Sequence, residues 1–179
     1  MRPLLTLLLL CLTALPLRAE TAFDVTLMTE GQTVRWRAEN GNTAVTYLGP
    51  EGGLYRFAFT RDGSKGDPAK VAVWSNRRGE AVRAEVGGLT VRYKPSDCTL
   101  TVGRCTYTEA LSDGARRKMV HLASVANDVW TYRLYHTAEA AENLIEEGTF
   151  TVDAAAVILD RTYRIREGGV WRDAWSKRR

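Results

Sequence analysis

The chain has 179 residues, 45% of them hydrophobic and 26% charged, with a formal net charge of +4. Two of the positive charges, Arg2 and Arg18, lie in an N-terminal leader, so the remainder is only weakly basic. That excludes the strong positive field of a nucleic-acid binder, and the length suits one domain with a core of its own.

Arg2 opens the leader, and an apolar run from Leu4 to Leu15 follows, ending at Pro16-Leu17-Arg18-Ala19. A charged start, an apolar middle and a small-residue exit are the marks of a secretory signal peptide. The run is about a dozen residues, short of the ~20 that span a bilayer as a helix. The expectation is therefore a signal peptide over 1–19 and a single β-rich exported domain over 20–179, periplasmic or secreted. Cys11 sits inside the run behind Leu10, whereas lipid attachment wants a small residue just before the cysteine.

After the leader the pattern has period two. Phe23, Val25 and Leu27 alternate with Asp24 and Thr26, and Val34-Trp36-Ala38 with Arg35 and Arg37. Asn40-Gly41-Asn42 signals a turn. Ala44 to Leu48 and Tyr55-Phe57-Phe59 are further strands, with a loop over Arg61 to Pro68. Val71 to Trp74, Val82-Ala84-Val86 and Leu89-Val91-Tyr93 continue the series, separated by Asn76-Arg77-Arg78-Gly79 and Gly87-Gly88. Lys118 to Val125 and Val129 to Tyr135 flank Ala126-Asn127-Asp128. Thr149 to Val152 and Val157 to Ile165 complete it, and the basic tail from Asp173 is read as frayed.

One stretch departs from the rhythm. Thr137 to Glu147 is rich in Ala and Glu and stops at Gly148, which predicts one short helix over 138–147. Turn signals about every ten to twelve residues otherwise leave no room for helical crossovers. The fold class expected is all-β, an antiparallel two-sheet sandwich or flattened barrel with that one helix.

Outside the leader the only cysteines are Cys98 and Cys105. An even pair in an exported chain predicts a disulfide, closing a small hairpin or hairpin-like loop through Leu100 and Val102. The Gly-x-Trp opening of lipocalin-type barrels is not met, because Gly31 and Trp36 are too far apart. The Cys…Trp…Cys pattern of antibody domains is not met either, because Cys98 and Cys105 are too close to bridge two sheets.

Chemistry is sparsely signalled. His121 and His136 stand alone, the cysteines are committed, and no metal site or cofactor is expected. No serine lies in a Gly-x-Ser-x-Gly frame. Glu39, Glu85, Asp128 and Asp160 are the acids from which a glycosidase pair could be drawn, without local support. The pattern that stands out is basic residues at strand positions facing away from the apolar set: Arg35, Arg37, Arg56, Arg83, Arg92 and Lys94, with Arg164 and Arg166. Gathered on one sheet they would face an anionic partner, such as an envelope protein or an acidic glycan or lipid surface. Dispersed, they are solvated faces that guard strand edges. Trp36, Tyr55, Phe57, Phe59, Trp74, Tyr93, Trp130 and Tyr132 are the expected core. The functional expectation is an exported, non-enzymatic binding or accessory protein. A barrel for a small apolar ligand is the second reading, and a carboxylate-dependent glycan hydrolase the third.

Overall fold

A computed structural model describes residues 23–39, 41–61, 69–139 and 141–179. The expected signal peptide lies outside these residues, as does most of the loop expected before Pro68.

Twelve antiparallel strands close into one barrel, each paired with its neighbours in sequence and β12 paired back to β1. They are β1 (Thr33–Ala38), β2 (Gly41–Glu51), β3 (Leu54–Arg61), β4 (Ala69–Ser75), β5 (Ala81–Val86), β6 (Leu89–Lys94), β7 (Gly103–Leu111), β8 (Arg116–Ala126), β9 (Val129–Ala138), β10 (Ala141–Val152), β11 (Ile158–Glu167) and β12 (Val170–Arg178). Closure removes the unpaired edges that an open sheet must protect. The seam sets Trp36 opposite Arg178 and Ala38 opposite Ser176, and the Arg179 N–H adds a bond to the Arg35 carbonyl. The C-terminal residues expected to fray thus include the closing strand.

The expected helix over 138–147 is absent. Ala138 ends β9, and residues 141–147 open β10, which pairs with β9 on one side and β11 on the other. Ala and Glu favour a helix only weakly, and two flanking strands offering full ladders outweigh that preference. A bulge between Leu144 and Glu146 shifts the inward phase by one residue. This broke the two-residue rhythm that would have marked the strand.

Tight turns follow from local chemistry. Gly87-Gly88 joins β5 to β6 with both residues at positive φ. Asn127-Asp128 does the same between β8 and β9, at φ 51° and 62°, a conformation that Asn and Asp tolerate better than other side-chain-bearing residues.

The two ends of the barrel differ. One end receives the segment before β1 and the connections 76–80, 95–102 and 153–157. The Asp24 N–H bonds the Ala154 carbonyl, Val25 N–H that of Arg77, and Asp97 N–H that of Ala81. Asp24 also caps the 3₁₀ turn Val25–Leu27 and is paired with Arg77. The hydrogen bond from Arg77, with those from Thr26, holds the Asp24 carboxyl far below its ordinary range. Phe23 and Leu100 pack with Trp130, Tyr132 and Phe150, and Val25 and Met28 with Val34, Val45, Tyr47 and Phe57. This floor seals one end.

Cys98 and Cys105 form the expected disulfide. Residues 95–102 are not a hairpin, however: β7 starts at Gly103. The Thr101 N–H turns back onto the Cys98 carbonyl, and Leu100 is driven into the floor. The bridge ties the floor loop to a β7 residue on the same phase as Tyr107.

The outer surface of β9 to β12 is charged at mid-strand. Register places Arg133, Glu147, Arg164 and Asp173 side by side on β9 to β12, and Glu147 pairs with both Arg133 and Arg164. A lipid-facing barrel wall carries an apolar band at this height. Among the described residues no helix is long and apolar enough to cross a membrane.

Candidate functional site

Inward positions of the strands, together with the floor, enclose a chamber of about 470 Å³. Val34, Trp36, Val45, Phe57, Phe59 and Val73, on β1 to β4, make one wall apolar. The Trp36 indole N–H is satisfied by the Ile158 carbonyl at 2.7 Å. The opposite wall, β6 to β11, carries Tyr93, Tyr107, Glu109, His121, Tyr132, Glu146 and Arg161, with Asp97 reaching in from the floor loop.

A hydrogen-bonded group occupies the middle of this wall. The Tyr132 hydroxyl donates to Glu146 Oε1 at 2.7 Å and accepts from Arg161 Nε at 3.1 Å and Nη2 at 2.7 Å. Arg161 also pairs directly with Glu146. Its guanidinium lies over the Tyr163 ring at 4.3 Å and the Tyr132 ring at 5.3 Å from the centroids. Burial works against the charge on Arg161, but Glu146 and Tyr132 outweigh it and the pKa is raised. Replacing Arg161 by Met leaves Glu146, only 13% exposed, without its counter-charge. The expected loss is about 2 kcal/mol at pH 7, below the cost of a fully dry pair because both side chains border the chamber. Urea denaturation checks it, and the double change Arg161→Met with Glu146→Gln recovers most of the loss.

His121 stacks on Tyr132 with ring centroids 5.7 Å apart. Burial, with the charge of Arg161, pulls its pKa down from 6.5 to about 4, so the imidazole is neutral near pH 7. Its Nδ1 is buried without a hydrogen-bond partner.

Asp97 keeps some surface towards the chamber but lies deep beneath the outer surface. It accepts from the Thr99 N–H at 3.1 Å. Burial raises its pKa from 3.8 to about 6, with the nearby Glu80 adding to the rise. Glu80, 5% exposed, is held differently. Burial pushes its carboxyl up, but hydrogen bonds from Thr101, Asn76 and Ser96 and the charge of Arg78 carry the net shift downward. Glu80 is thus a structural anion that knits the floor loops together.

The basic residues singled out from sequence are elsewhere. Arg35 and Arg37 lie on the outside of β1, Arg56 on β3, Arg83 on β5, and Arg92 and Lys94 on β6, spread over half the circumference. Arg83 and Arg92 are cross-strand neighbours, while Lys94 faces Thr108. Trp74 is buried as expected, but on the outer side. Arg56 and Arg83 cover its ring at 5.2 and 4.4 Å and pair with Glu51 and Glu85.

Glu39, Glu85, Asp128 and Asp160 do not line the chamber, and His136 sits above it on β9. Among the described residues no group of three or more His, Cys, Asp or Glu side chains converges to hold a metal ion. The chamber's acids and Arg161 were missed because only their phase could have shown them. Arg161 shares a strand face with Tyr163 and Ile165, so a charge on the apolar phase was the available signal.

No family model, no curated protein and no solved structure matches this chain.

Proposed function

We propose that the protein is an exported, non-enzymatic binding protein that holds one small amphipathic molecule inside its barrel. The observation that carries this is the chamber itself. Its volume of about 470 Å³ falls within the range of ligand sites, ~300–1,000 Å³. One wall is apolar and the other is set with a few fixed polar groups, the usual composition of such sites. The leader pattern and the disulfide support export, because disulfides persist in oxidising compartments. The outward arginines favour a partner less, since Arg56 and Arg83 are already engaged with Trp74 and with acids.

The neutral fluorescent amphiphile N-phenyl-1-naphthylamine tests the reading. Its emission should rise on mixing with the mature protein and saturate at one molecule per barrel. Val73→Trp, which fills the chamber from the apolar wall, should abolish the rise while leaving the β-sheet circular dichroism unchanged. No saturable rise, or one indifferent to Val73→Trp, would overturn the proposal.

A further inference from the structure

The chamber's polar wall is unbalanced in charge. Asp97, Glu109 and Glu146 line it against a single guanidinium, Arg161. Glu146 is matched by Arg161. Asp97 and Glu109 have no such partner: the ion pairs among the described residues are made by other acids. Glu109 feels Arg117, its cross-strand neighbour, and His136, both only at longer range. Asp97 faces the carboxylate of Glu80 and the phenols of Tyr93 and Tyr107.

These two acids flank an aromatic pair. The rings of Tyr93 and Tyr107 stand 6.1 Å apart and are tilted by 53°, and both acids act electrostatically on both phenols. Burial raises the Tyr93 phenol to about 12 and the Tyr107 phenol further, so both stay neutral. Tyr107 is 5% exposed and lines the chamber, and no hydrogen bond from its hydroxyl to a described residue is formed. A nine-tenths buried phenol with a free hydroxyl, beside two carboxyls outside any ion pair, makes a site able to take a polar or charged head. Aromatic faces and carboxylates together attract cations, quaternary ammonium groups above all.

We propose that the chamber's ligand is a cationic amphiphile whose ammonium head sits at Tyr93, Tyr107, Asp97 and Glu109 and whose apolar body lies on the β1–β4 wall. This deepens the binding function proposed above and rests on it. A carboxylate head would meet the like charges of Asp97 and Glu109 at close range. An alcohol head would gain hydrogen bonds but no charge pairing.

The test displaces N-phenyl-1-naphthylamine from the mature protein with three probes of one chain length: dodecyltrimethylammonium, dodecanol and dodecanoate, each below its micelle concentration. The cation should bind about tenfold tighter than the alcohol, and dodecanoate weaker than both. In the double variant Asp97→Asn with Glu109→Gln the affinity for the cation should fall about tenfold while that for dodecanol holds. A parallel fall for both probes would show that the acids merely shape the chamber, and would overturn the charge assignment. Dodecanoate binding as well as the cation would overturn it too, leaving the binding function standing. No displacement by any probe, with no binding of the dye, removes both.

Discussion

Gly148→Ala should cost at least about 3 kcal/mol, the upper end of what overpacking usually does, and is expected to leave little folded protein at 37 °C. Gly148 lies in β10 opposite Tyr132 and Tyr163. A Cβ there would stand 2.3 Å from the Thr162 carbonyl oxygen and 2.7 Å from Tyr163 Cα. Those are backbone atoms of the paired strand, so no rotamer change relieves the contact. Relief requires prising β11 away from β10, next to the Tyr132–Glu146–Arg161 group. Thermal unfolding of the mature protein measures the effect. A melting temperature within a few degrees of the parent would mean that the close approach of these strands is wrong. Gly114→Ala, on the turn between β7 and β8, is the comparison: it is at φ 93° but meets nothing within 4 Å, so it carries backbone strain without the clash.

Asp97→Asn should do the opposite. The folded protein holds the Asp97 proton up to about pH 6, against an ordinary value of 3.8. Between those two pH values the folded state binds more protons than the unfolded chain. Stability therefore falls as pH rises through that window and levels off above it. The cumulative cost at pH 8 is about 3 kcal/mol at 1.36 kcal/mol per unit. Asn presents an oxygen to the Thr99 N–H and carries no charge, so the variant should be more stable by nearly that amount at pH 8. Below pH 4, where Asp97 is neutral, the two proteins should converge. Urea midpoints of both proteins at pH 4 and pH 8 are the measurement, and taking their difference cancels the titrating groups that do not interact with Asp97; the part due to Glu80, which does, belongs to the Asp97 effect itself. A stability difference independent of pH would show that Asp97 is solvated like a surface acid.

An acid kept at this cost is consistent with use. On this prediction Asp97 lowers stability above pH 6, and the cation proposed for the chamber would relieve that cost. Binding and stability are then linked: ligand would raise the melting temperature of the parent more than that of Asp97→Asn.

The residues that spoke plainly from sequence were those whose message is local. The alternation in Val34-Trp36-Ala38 or Tyr55-Phe57-Phe59 is written in consecutive residues, as are Gly87-Gly88 and Asn127-Asp128. The cysteine pair was likewise legible, because two cysteines leave one partner each. The helix expected at 138–147 failed for the same reason: its evidence was local propensity, and the strands that claim those residues lie on either side in space. Trp74 shows the limit of alternation, which assigns a phase but does not say which phase faces in. A tryptophan on the outer phase is buried by Arg56 and Arg83, and arginine stems cover apolar surface well.

The chain's own order of residues was enough to determine an all-β, disulfide-bonded domain of about a dozen strands, because pleat, turn and crosslink each depend on near neighbours or on a count. Only the tertiary structure decided that the strands close on themselves, that a floor seals one end, and that Tyr93, Asp97, Tyr107, Glu109, His121, Tyr132, Glu146 and Arg161 share one chamber with an apolar wall. Closure depends on pairing β1 with β12 across nearly the whole chain. A chamber is a property of which phases converge, and no single strand contains it.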